Sequence, residues 1–140
     1  MKTKILFICV ANSARSQLAE GLAKAVFPHA EIESAGSIPG KLNPFAVTVM
    51  NEIGLDISSH YSKSVNDLQS NFLDDLDFVI TLCAEEVCPL LVSNAKKIHW
   101  PLPDPASNEP LSGAEMLERF RNTRDAIQKR LREFKEKFTQ

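Results

Sequence analysis

Residues 5–9, Ile-Leu-Phe-Ile-Cys, are an apolar run with no polar position to turn toward water. A strand built from such a run must be covered on both faces, which fits a parallel sheet between helices better than a half-exposed antiparallel one. The next residues supply such a cover: Leu18, Leu22 and Val26 recur at helical spacing around Glu20 and Lys24, so a helix is expected from about Ser16 to Val26. This continuity also argues against a cleaved leader. MKTKILFICVANSA has a basic start and small residues at its end, but its apolar run only reaches the lower limit of the roughly 7 to 15 residues a secretory segment needs. No other stretch approaches the ~20 apolar residues of a membrane span. The chain is therefore expected in the cytoplasm, away from any membrane.

Strand and helix signals then alternate. AEIESAG reads as a second strand ending in a turn glycine, and SIPGKLNP as a loop. PFAVTVMNEIG carries proline in its first helical turn and glycine where a helix would stop. SVNDLQSNFLDDL reads as one short helix, DFVITLC as a third buried strand and KKIHWPL as a fourth. From Ser112 onward Leu117, Phe120, Ile127, Leu131, Phe134 and Phe138 form the apolar stripe of a long amphipathic helix. Helices between strands imply right-handed crossovers. The expected fold is α/β, a three-layer flavodoxin-like arrangement with a four-stranded parallel sheet in the order 2-1-3-4. A chain of 140 residues suits one domain, spanning 1–140, with a single core.

Charge narrows the function. A net charge of -2 provides no broad basic field for a phosphate backbone, which excludes general nucleic-acid binding and confines any anion site to a local feature. Three cysteines, Cys9, Cys83 and Cys88, are an odd number for a static disulfide framework. In the expected strand order Cys9 ends strand 1 and Cys83 ends strand 3. Both then border the switch point where folds of this kind bind ligands.

Cys9, Val10, Ala11, Asn12, Ser13, Ala14 and Arg15 make a Cys-x5-Arg loop between that buried strand and the first turn of a helix. Successive backbone N–H groups of such a loop, with the positive end of the helix, can surround a tetrahedral oxyanion while Arg15 grips two of its oxygens. The same field favours a thiolate at Cys9, and Ser16 is placed to hydrogen-bond its sulfur. Asn12 suits a left-handed backbone conformation. A proton donor should stand nearby. Asp104, stiffened by Pro103 and Pro105 just after the fourth strand, fits that role, although Asp-Pro is also a common turn pair.

With these residues in place the chain resembles the arsenate reductases built on the low-molecular-weight protein tyrosine phosphatase fold. The likeness runs from ILFICVANSARSQLAEG through SAG, LNP, GLDISSH, VITLC, HWPLPDPA and the final helix. It implies that Cys9 attacks arsenate, that Arg15 and the loop from Val10 to Ala14 hold its oxygens, that Ser16 supports the thiolate, that Asn12 braces the loop, and that Asp104 is the general acid. Phosphate or sulfate would fit the same loop. Resemblance to the thioredoxin-coupled branch further implies that Cys83 attacks the Cys9 adduct and releases arsenite. Cys88 then attacks Cys83, and thioredoxin reduces the resulting Cys83–Cys88 disulfide. No cofactor is bound in this scheme, and a monomer is expected.

Geometry constrains the last exchange. Residues five apart in a regular helix have Cα atoms about 8 to 9 Å apart, beyond the roughly 7 Å a disulfide allows. CAEEVCP is therefore expected to be a mobile segment that deforms on oxidation, with Pro89 opposing a stable helix. The competing reading of the thiols as a zinc site is poor, since the three cysteines and His29, His60 and His99 show no compact ligand spacing. Some relatives bind potassium through residues matching Asn12, Glu20 and Ser34, with an acidic residue where this chain has Lys63, whose ammonium can supply that charge itself. Ala14 replaces a second loop cysteine common among relatives. NSARS also resembles branches that use glutathione with glutaredoxin, or mycothiol, as donor.

Two rival functions have distinguishing features. Tyrosine phosphatases of this fold usually place proline after Arg-Ser and an aromatic after Asp-Pro, where this chain has Gln17 and Ala106. Residual phosphatase activity is still expected, because phosphate and arsenate share shape and charge. A noncatalytic oxyanion sensor would not need both Cys9 and Asp104.

Overall fold

A computed structural model of the chain describes residues 2–84, 91, 93–106 and 111–138, with the side chain of Phe138 outside that set. Four strands, β1 (Lys4–Ile8), β2 (Glu31–Ala35), β3 (Phe78–Thr81) and β4 (Lys96–His99), form a parallel sheet in the order β2-β1-β3-β4. Helices α1 (Arg15–Val26), α2 (Pro44–Asn51), α3 (Ser70–Asp74) and α4 (Gly113–Phe138) complete the described elements, with a 3₁₀ turn at Val65–Asp67. This is the expected order. The central strand is β1, and its apolar run is buried throughout, because helices cover it on both sides.

The core differs from the single one expected. Alternate β1 residues point to opposite faces, so the sheet divides the apolar interior into two clusters. Ile5, Phe7 and Cys9 join Leu18, Leu22, Met50, Phe120, Ile127 and Leu131 under α1, α2 and α4. Leu6 and Ile8 pack with Phe72, Leu76 and Val79 on the other face. The α4 stripe thus enters the larger cluster through Phe120, Ile127 and Leu131, while Leu117 and Phe134 are partly buried against it. Phe134 makes edge contacts with Phe27, Phe78 and Trp100. Polar pairing ties α2 to α4: hydrogen bonds from Arg121, and from Arg124 on the same helix, pull the Glu52 carboxyl down to about 2.

One helix is divided where the sequence reads as continuous. Ser64 and Asp67 form a reciprocal capping box around the 3₁₀ turn, after which Leu68 and Gln69 are extended before α3 begins. The short cap-and-stop closes one turn and leaves only five residues for α3. Asn43 caps α2 by accepting from Phe45 N, Pro44 follows it, and the chain leaves that helix with Gly54 at φ +81. No described helix is long and apolar enough to cross a membrane.

Candidate active site

The loop from Cys9 to Ala14 leaves β1 and enters α1 at the switch point beside the carboxyl ends of β1 and β3. Its carbonyls are drawn outward. Ser37 N donates to Val10 O at 2.8 Å, Gly40 N and Ser62 Oγ donate to Ala11 O, Gln17 Nε2 donates to Asn12 O, and Asn43 N donates to Ser13 O. With the carbonyls engaged on that side, the inner side is left for the N–H groups, the arrangement that makes an anion nest. The start of α1 has no side-chain cap and no acidic residue in its first turn, so its positive end is not neutralised locally.

This inner side is a cavity of about 270 Å³ lined by Cys9, Val10, Ala11, Ser13, Ala14, Arg15 and Asp104. Cys9 is a free, buried thiol whose Sγ shares a 2.9 Å hydrogen bond with Ser16 Oγ. Arg15 is held from behind, donating through one terminal nitrogen to Leu102 O at 2.8 Å and Leu82 O at 3.4 Å. Its other terminal nitrogen lies 4.0 Å from Asp104 Oδ2. Asp104 is half exposed, and its Oδ1 accepts from Ala106 N, an Asx-type turn that fixes the carboxyl at the cavity edge.

Asn12 and Ser16 are not among the lining residues. Asn12 has φ +52, the left-handed conformation expected of it, and its side chain turns away from the cavity. Its Nδ2 donates to Ser16 Oγ at 2.7 Å and Ser34 Oγ at 2.9 Å, while its Oδ1 accepts from Lys63 N and Gln17 Nε2. Ser34 in turn donates to Glu20. Burial pushes the Glu20 carboxyl up, but hydrogen bonds from Lys24 and Ser34 outweigh it and hold the group below the usual carboxylate range. The buried Lys63 ammonium lies 3.9 Å from Glu20 Oε1 and 3.7 Å from Glu33 Oε1, so a cationic side chain stands beside the Asn12, Ser34 and Glu20 set. Burial lowers the pKa of His60 below the usual histidine value, although Glu20 Oε2 lies 3.5 Å from its Nε2 and opposes that shift.

Gly36 is the close-approach residue. A Cβ there would lie 2.3 Å from Val10 O and 2.9 Å from Asn12 N. The SAG turn is glycine because the cysteine loop passes directly over it. This brace, together with Ser62, Gln17 and His60, lies outside what pattern reading identifies as functional, since it depends on segments far apart in the chain.

Cys83 follows β3, is buried, and belongs to the same apolar cluster as Cys9. It is disulfide-bonded. Cys88 and the segment 85–90, where deformation is expected, lie outside the described residues. Among the described residues no three His, Cys, Asp or Glu side chains gather as a metal cage.

Comparison with known proteins places this geometry among relatives. The family described as low molecular weight phosphotyrosine protein phosphatase matches residues 4–140. An arsenate reductase 1 of Staphylococcus haemolyticus is 41% identical over 138 residues, covering 96% of each chain. A solved arsenate reductase in the reduced state superposes with a TM-score of 0.75 at 33% identity over 99% of each chain. The thioredoxin-dependent arsenate reductase of Corynebacterium glutamicum superposes with a TM-score of 0.73 at 26% identity, over 99% of this chain and 64% of that one.

Proposed function

The chain belongs to the low molecular weight phosphotyrosine protein phosphatase family, and on that premise we propose that it reduces arsenate to arsenite with electrons from thioredoxin. The observation that carries this reading is the Cys9 thiol, 2.9 Å from Ser16 Oγ, lining one cavity with Arg15 and Asp104. In the first step the Cys9 thiolate attacks arsenic, Asp104 protonates the departing oxygen, and a Cys9–arsenic bond replaces an arsenic–oxygen bond. Arg15 and the loop amides hold the remaining oxygens as charge redistributes.

The electrons come from thiols. Cys83 attacks Cys9 Sγ; the sulfur–arsenic pair stays on arsenic, which falls from the pentavalent to the trivalent state and leaves as arsenite. Cys88 then attacks Cys83 Sγ and expels Cys9 as a thiolate, and the thioredoxin dithiol reduces the Cys83–Cys88 disulfide. Burial of Cys9 and Cys83 in one cluster supports their direct exchange. Gln17 and Ala106, where the phosphatases of this fold favour proline and an aromatic, support arsenate over phosphotyrosine. The same reading carries a single domain over 1–140, no resident cofactor or metal, and a monomer in the cytoplasm.

The test is arsenite formation from arsenate with thioredoxin, thioredoxin reductase and NADPH, comparing the native chain with Cys88→Ser. Multiple turnover that stops after one round in the variant supports the relay. Turnover only with glutaredoxin and glutathione would keep the reaction and remove the relay. Fast aryl phosphate hydrolysis with no arsenite from either donor would identify a phosphatase.

A further inference from the structure

We propose that Gln17 is the positioning residue of the oxyanion loop and that His60 fixes the orientation of its amide. Gln17 is completely buried in the first turn of α1. Its Nε2 lies 3.0 Å from each of three oxygens: Asn12 O, Asn12 Oδ1 and Tyr61 O. The two backbone carbonyls are acceptors only, and Asn12 Oδ1 is fixed as an acceptor because it also receives Lys63 N. The amide of Gln17 therefore has one tenable orientation, with its two hydrogens shared among these oxygens and its Oε1 facing the other way.

That Oε1 meets His60 Nδ1 at 3.0 Å. An amide oxygen can only accept, so Nδ1 carries the hydrogen and the tautomer is set. Nε2 of the same ring lies 3.5 Å from Glu20 Oε2, and the Nδ1 hydrogen is required by the Gln17 contact whether or not Nε2 carries one as well. The His60 Nδ1–H thus holds the one end of Gln17 that the loop does not.

The consequence reaches the cavity through Asn12. One side chain, rooted in a helix rather than a loop, holds both the main-chain and the side-chain carbonyl of the residue with φ +52. Asn12 then donates to Ser16 Oγ, which pairs with Cys9. Tyr61 O ties the same amide to the segment whose Ser62 Oγ and Lys63 N also brace the loop. Gln17 does not line the cavity, so it acts by holding the loop in the form that receives an oxyanion.

The inference rests on the reading of this loop as an oxyanion site, and its readout is kept separate from arsenite formation. Inorganic phosphate is titrated calorimetrically into the native chain, Gln17→Met, His60→Leu and His60→Asn, and each variant's folding is checked by urea denaturation. Gln17→Met keeps the bulk and removes all four contacts; His60→Asn keeps an N–H at the Nδ1 position, and His60→Leu does not. Phosphate binding is expected to weaken about tenfold or more in Gln17→Met and His60→Leu, while His60→Asn stays within roughly threefold of native. The His60 pair decides the matter even where Gln17→Met does not fold. Native-like affinity in His60→Leu, equal losses in the two His60 variants, or no phosphate binding by the native chain would overturn the proposal. A native chain that binds phosphate but makes no arsenite would remove the reductase reading and leave this one standing.

Discussion

Replacing Asn12 with glycine, and separately with alanine, divides the brace of the cysteine loop into two measurable parts. The Asn12 side chain makes four hydrogen bonds, to Ser16, Ser34, Gln17 and Lys63. At a net ~1 kcal/mol each, losing them costs about 4 kcal/mol, before any further penalty for buried partners left without a substitute. The backbone at φ +52 adds the second part. Glycine accepts that conformation freely, whereas alanine pays ~1 kcal/mol for it. Asn12→Gly should therefore lose about 4 kcal/mol or more and Asn12→Ala about 1 kcal/mol beyond that, large fractions of the ~5 to 15 kcal/mol that hold a typical domain. Urea unfolding followed through the buried Trp100 reads both losses. An Asn12→Gly chain within about 1 kcal/mol of native would show that the four bonds hold little, and an alanine variant more stable than the glycine one would show that the backbone is not constrained as described.

Other perturbations probe separate features. Gly36→Ala drives a methyl group to 2.3 Å from Val10 O, so the loop must shift; phosphate affinity measured by calorimetry should fall at least tenfold. Asp104→Asn, at a half-exposed position, should leave the urea midpoint nearly unchanged and lower arsenate kcat/KM by about 10² to 10⁴ in steady-state assays. Acid should weaken the fold in two windows. His60 has a depressed pKa in the folded state, so below about 6.5 the unfolded chain takes up its proton first and stability falls with pH; His60→Asn should remove this upper step from urea midpoints measured across pH. Glu20 is also depressed, so its contribution is present above about 4.5 and is lost as pH falls through its folded value.

The parts of the fold legible in the sequence are those whose pattern is local. The unbroken apolar run of β1 required cover on both faces, and the spacing of Phe120, Ile127 and Leu131 fixed the buried side of α4. The division of 65–74 was not legible, because the capping box of Ser64 and Asp67 competes with a helical pattern that continues through it. In the site, Cys9, Arg15 and Ser16 follow from one strand-loop-helix stretch, and Asp104 from its place after β4. The Gln17–His60 contact joins positions 43 residues apart, and no periodicity marks it. Gly36 likewise reads as an ordinary turn residue until the loop is seen crossing over it.

The relay through Cys9, Cys83 and Cys88 can be caught at its first exchange. Reduced Cys88→Ser is given one equivalent of arsenate, quenched with alkylating agent in acid, and its disulfides are mapped by peptide mass spectrometry without reduction. The expected result is one arsenite released per chain and a Cys9–Cys83 disulfide. Arsenite released with Cys9 and Cys83 not joined to each other would contradict it.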